Sequence, residues 1–247
     1  MTTRAQVDTL SKAQRQAVTL AQREMRQLWE SIGNLSPEWQ RDLLLDEVPA
    51  LARKYGDIAA TAAAEWYEQT RAQSVGGTYE ALTADSFSDE AVQASIRYKA
   101  GSLFGDDPSA LSGFLAASLQ RWVMYSGRQT IARNAEHDPM HPRYARVPTG
   151  ARTCAFCGML ASRGFVYYTE SSAGGDFHKY HNECDCQVVP EWDGKTSHIT
   201  GYDPDALYSQ YLQAREGLGG NPDVTAILAN IRRLFPNDYT DGVKTAS

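Results

Sequence analysis

The sequence predicts an α+β fold that is mostly α: a helical N-terminal half, a small stapled α+β segment with short strands, and C-terminal helices. Three observations carry that prediction. Apolar residues recur at three- and four-residue steps through most of the first 138 positions, as on amphipathic helices. Between 144 and 189 that period gives way to short runs rich in aromatic and β-branched residues, the composition of strands. All four cysteines fall in one stretch, as Cys154-x2-Cys157 and Cys184-x-Cys186.

The elements follow in order. From Ala5 to Ile32 the residues Val7, Leu10, Ala13, Ala17, Ala21, Met25, Leu28 and Ile32 form one stripe, and Gly33 stands where a left-handed cap would end the helix. Ser36-Pro37-Glu38 opens a short helix through Trp39, Leu43 and Leu44, which Pro49 is expected to interrupt. A longer helix, 50–73, carries the face Ala59, Ala62, Ala63, Trp66 and Tyr67 and stops at Gly76-Gly77. The weak pattern over 78–87 predicts a loop, and Ser88-Asp89-Glu90 caps a helix to about residue 100. Asp107-Pro108 starts the next helix, which runs to about residue 135 with Leu111, Leu115, Leu119, Trp122 and Val123 inward and must end before Pro139 and Pro142.

Strands are expected over 144–147, 165–168 and 186–189. Two capped helices follow, Asp203-Pro204 to about Arg215 and Pro222 to Phe235, and the last dozen residues read as loose. The predicted organisation is a helical domain over 1–138, a metal-binding α+β segment over 139–200, and C-terminal helices with a tail over 201–247.

Composition narrows the function. The 247 residues are 42% hydrophobic and 22% charged, ordinary for a globular chain long enough to bury a core. A formal net charge of −6 gives no global attraction to nucleic acid or an anionic membrane, and no apolar run approaches the ~20 residues that span a bilayer. The opening Met-Thr-Thr-Arg-Ala-Gln lacks the apolar core of a signal peptide, so a reducing cytosol is the expected setting and metal binding the expected use of the thiols. Cys-x2-Cys suits a turn whose thiolates converge on one ion, and Cys184 and Cys186, two apart at a strand start, share a face. A structural zinc site is expected, its four ligands being either all four cysteines or three with a histidine, and the favoured set is Cys154, Cys157 and His181 with one or both of Cys184 and Cys186. A zinc ion would supply much of the folding free energy of so small a segment.

Arg152-Thr153-Cys154-x2-Cys157-x2-Leu160, the preceding Arg143-Tyr144-Ala145-Arg146, and His181-x2-Cys184-x-Cys186 with Pro190 beyond make a joint pattern over about residues 110–192. It resembles the core of the phage Mu F-like (MuF) minor head proteins, in the form found in tailed phages of actinobacteria. One departure is Ala161-Ser162-Arg163-Gly164, where the family pattern has Asp-Gly after the first cysteine pair. The resemblance implies a minor capsid protein that acts in head morphogenesis: assembled in the host cytoplasm, resident in the virion interior near the portal, with portal, major capsid or scaffold proteins as partners.

The alternative is a zinc-dependent nuclease or capsid maturation protease. His178, His181, Asn182, Asp176 and Glu183 crowd the cysteines, and Ser162, Ser171 or Ser172 with His178 would be a hydrolase pair, yet no catalytic motif frames them. No catalytic residue is therefore assigned. Arg143, Arg146 and Arg152 beside Tyr144 form a weak candidate contact for packaged DNA. The stripe Ile227, Leu228, Ile231 and Leu234 is expected either to fold back on the helical half or, with Gly217–Gly220 as a tether, to dock on a portal or capsid subunit.

Overall fold

Thr3 and Gln6 cap each other reciprocally and launch helix α1, Arg4–Ile32. This computed structural model describes residues 2–169, 182, 184–195 and 198–243. Gly33 is right-handed (φ −58°), so the expected left-handed cap is absent and the chain turns through Leu35, whose N–H reaches the Ile32 carbonyl.

Helix α2 is one continuous element, Pro37–Val75, with Pro49 inside it. The expected interruption fails for a specific reason. Proline at 49 removes the N–H that would bond the Leu45 carbonyl. The Gln93 side chain, from helix α3 (Asp89–Lys99), donates to that carbonyl at 3.1 Å instead. Positive φ at Gly76 and Gly77 then ends the helix as predicted.

The loop over 78–88 lies pinned to the long helix α4, Ser109–His137: the Leu82 N–H donates to Asn134 Oδ1, and the Ala84 N–H to Thr130 Oγ1. Helices α1, α2 and α4 share a core that includes Met25, Leu44, Val48, Leu115, Leu119 and Trp122. Small residues let them approach, since a Cβ at Gly56 would meet Ser126 Oγ at 2.7 Å.

Strands β1 (Arg143–Val147) and β2 (Gln187–Glu191) pair antiparallel, Ala145 opposite Val189 and Arg146 opposite Val188. The expected third strand reduces to a bridge between Tyr144 and Tyr167. Gly164 (φ 67°) and the tight Val166 N–H to Gly164 carbonyl bond curve that run, so it meets β1 at one residue. Helix α5, Ala155–Ala161, lies between the strands in sequence and packs against α6 (Pro204–Arg215) and α7 (Val224–Leu234). The class is thus α+β, mostly α, as predicted.

Residue 138, the expected boundary, follows the last turn of α4, and packing across it is extensive. One cluster joins Leu10, Trp66, Tyr67 and Ile131 to Tyr144, Tyr167 and Val188; another joins Val7 to Ala145, Val147 and Val189. Thr2 anchors the start of the chain by donating to the Pro190 carbonyl and to Glu191 Oε2.

The stripe of α7 is covered by this chain itself, although by α5 and α6 rather than by the N-terminal helices: Ile227, Leu228 and Ile231 pack with Met159, Leu160 and Ala214. Leu234 stays exposed. The segment after α7 is not loose as far as residue 243, because Tyr239 is buried and the Thr240 N–H bonds the Thr153 carbonyl at 2.9 Å. Among the described residues no helix is long and apolar enough to cross a membrane.

Candidate metal centre

The cysteine pairs are delivered by two lengths of chain held together by an aspartate. Asp185, between Cys184 and Cys186, accepts from the N–H groups of Thr149 and Gly150 and from Thr153 Oγ1, while its carbonyl accepts from Thr149 Oγ1. These bonds fix the loop entering Cys154 against the segment entering β2. Cys154 is then the N-cap of α5, its sulfur accepting the Cys157 N–H at 3.2 Å, which turns Cys157 inward. From above, Arg128 of α4 donates to the Cys186 carbonyl at 2.9 Å and the Cys184 carbonyl at 2.8 Å.

The sulfurs of Cys157, Cys184 and Cys186 converge. They lie 3.3 Å (157–184), 3.2 Å (184–186) and 3.8 Å (157–186) apart, and all three residues are buried. A disulfide needs ~2.05 Å, and none of the four cysteines is in one. Ligands at about 2.3 Å from a tetrahedral zinc stand about 3.8 Å from one another, which the 157–186 pair matches and the other two pairs would meet by opening about half an ångström. Three thiols within reach of one point are a donor set for a soft or borderline metal ion.

Charge supports the fit. Arg146, on β1, is fully buried and directs its guanidinium at the sulfurs: Nη2 lies 2.8 Å from Cys186, 3.5 Å from Cys184 and 3.6 Å from Cys157, and Nε lies 3.2 Å from Cys186. A buried guanidinium stays charged and needs a negative partner, so it favours a thiolate on one of the three sulfurs. Hydrogen bonds from Cys157 and Cys186 lower the Cys184 thiol against the effect of burial, with Arg128 and Arg146 assisting. Cys157 is raised by its sulfur hydrogen bonds and by burial, and burial pushes Cys186 up to about 11.

Of the five expected ligands, three form this group. Cys154 belongs to the same buried cluster, but its sulfur stands outside the trio. His181 lies outside the described residues, as do His178, Ser171, Ser172, Asp176 and Glu183. Asn182 donates to Ser118 Oγ at 3.4 Å, and Ser162 is buried and donates to the Met159 carbonyl. The basic patch needs correction, because Arg146 and Tyr144 are wholly buried and present nothing to a nucleic acid; Arg152 is exposed. His198 sits apart from the cysteines, exposed beside Asp203 and Asp205.

Sequence reasoning missed Asp185, Arg128 and the inward turn of Arg146. An aspartate between two cysteines is the one local signal that could have been used.

A family model described as VG15 protein matches residues 1–214. The chain is 28% identical over 244 residues to the Gene 15 protein of Mycobacterium phage D29, covering 82% of this chain and 88% of that protein. It is 29% identical over 199 residues to the Gene 15 protein of Mycobacterium phage L5, covering 63% of this chain and 66% of that one. No solved structure matches.

Proposed function

The chain belongs to the VG15 family of phage proteins, and from that premise we propose that it is a minor head protein, built into the procapsid near the portal and shaped by a structural zinc ion. The observation that supports this reading best is the convergence of Cys157 with Cys184 and Cys186. These positions are the two halves of the pattern that resembles MuF head proteins, and the fold brings them together in a buried place suited to a closed, structural ion. The ligands would be Cys157, Cys184 and Cys186, with Cys154 or His181 as fourth. When bound, zinc would tie the first turn of α5 to the entry of β2. The chain's own residues do the rest: Asp185 sets the loop and Arg146 faces the sulfurs.

Docking onto portal, major capsid or scaffold subunits falls to the helical half, where Leu35 in the turn before α2 and Trp39 in the first turn of α2 are exposed. The test is quantitative mass spectrometry of purified particles of the phage that encodes this chain. The chain should be present in a small number of copies relative to the major capsid protein, and a knockout should yield few filled heads. Particles that lack the chain, with normal heads in the knockout, would overturn the reading.

A further inference from the structure

We propose that Arg146 is a positioning residue of the metal centre, which offsets the excess thiolate charge and donates N–H bonds that set the electron density on the sulfurs. The inference rests on the metal reading above and adds a role for a side chain outside the ligand set. Three thiolates and a neutral histidine on a divalent ion leave one unit of negative charge, four thiolates leave two, and the sulfurs of Cys157, Cys184 and Cys186 are shut away from water. Burying such a charge is unfavourable unless it is paired and hydrogen-bonded.

Arg146 meets both needs. Its Nη2 lies within 3.6 Å of all three sulfurs, and its Nε adds a second approach to Cys186. Strand pairing fixes that position, with Arg146 opposite Val188, two residues beyond Cys186. Arg128 occupies a different place, on the carbonyls of Cys184 and Cys186 rather than on their sulfurs. A lysine at 146 would keep the charge but could not present a planar fork to several sulfurs at once.

The experiment uses the full chain with zinc under chelator competition and, separately, with cobalt(II) as a spectroscopic probe. Arg146→Met and Arg146→Lys are compared with the unaltered protein, and circular dichroism confirms that each is folded. Zinc affinity should fall about 10- to 100-fold in Arg146→Met, the usual effect of losing an outer-shell partner, and by less in Arg146→Lys. The sulfur-to-cobalt charge-transfer band should move to lower energy in Arg146→Met, because thiolates without N–H donors are easier to oxidise, and by less in Arg146→Lys, whose ammonium still donates but reaches fewer sulfurs. A purely structural arginine would leave that band in place. Unchanged affinity and an unmoved band in folded variants overturn the role of Arg146 while leaving the metal centre standing. If Arg146→Met does not fold, Arg146→Lys decides alone by the same two readouts. Failure of the unaltered protein to bind either ion overturns the metal reading itself, and this inference with it.

Discussion

At Asp138 one fully buried carboxylate gathers four donors: Arg71 Nε at 2.8 Å, Tyr67 Oη and Trp192 Nε1 each at 3.0 Å, and the Met140 N–H at 2.9 Å. Those donors come from α2, from the turn after α4 and from the end of β2, so the residue fastens the helices to the strands. Burial alone would raise its pKa, but the hydrogen bonds, Arg71 first, overcome that and hold it below the usual carboxylate value. A depressed folded pKa means stability that is fully present above the unfolded value of about 3.9 and is lost as pH falls through the folded value. Asp138→Asn should therefore cost about 3 to 5 kcal/mol at neutral pH, since it leaves the Arg71 charge buried without its partner. It should also flatten the acid limb of stability against pH, as read by urea unfolding at a series of pH values. An acid limb unchanged by the substitution would contradict this assignment. Residue 138 was legible in the sequence as the place where a helix must stop before two prolines. Its role was not, because three of the four donors are distant in sequence.

The elements show the same division between local and distant causes. Period and caps were enough to locate α1, α3, α4, α6 and α7, whose apolar stripes and Ser, Asp and Pro starts are short-range signals. Pro49 misled because the donor replacing its N–H comes from Gln93, on another helix. Arg146 misled because Tyr144 to Val147 are all buried, so no alternation in that strand marks which side chain faces inward. The segment after α7 misled because key partners are on α5, far off in sequence. There Asp241 accepts the Ala155 N–H at 2.8 Å and pairs with Arg232 at 2.7 Å, while the Tyr239 ring lies against Gly158. This strap holds the helix that carries Cys157. Gly158→Ala should lower stability by about 1 to 3 kcal/mol, because the added methyl would run into the Tyr239 ring. In a Tyr239→Ala background the same change should be neutral or better, alanine being the stronger helix former. Thermal melts of the four proteins measure the cycle, and a Gly158→Ala penalty that persists without the ring would show that the strap does not pack as described.

Across the whole molecule, the helical half and the cysteine segment share apolar clusters, with Val7 and Leu10 of α1 packed among residues of β1 and β2. The cysteine spacing predicted that the thiols gather, and the fold brings three of them together; what spacing could not announce is the aspartate that aligns the two lengths of chain and the arginine that faces the sulfurs. Because the clusters are shared, loss of the centre should be felt well beyond α5. The proposed role as a head component turns on the metal. Elemental analysis of the protein purified without chelator tests it most directly. The account predicts about one zinc per chain, the stoichiometry of a single four-ligand structural site, whereas metal-free protein that melts at the same temperature with all four thiols open to titration would contradict it.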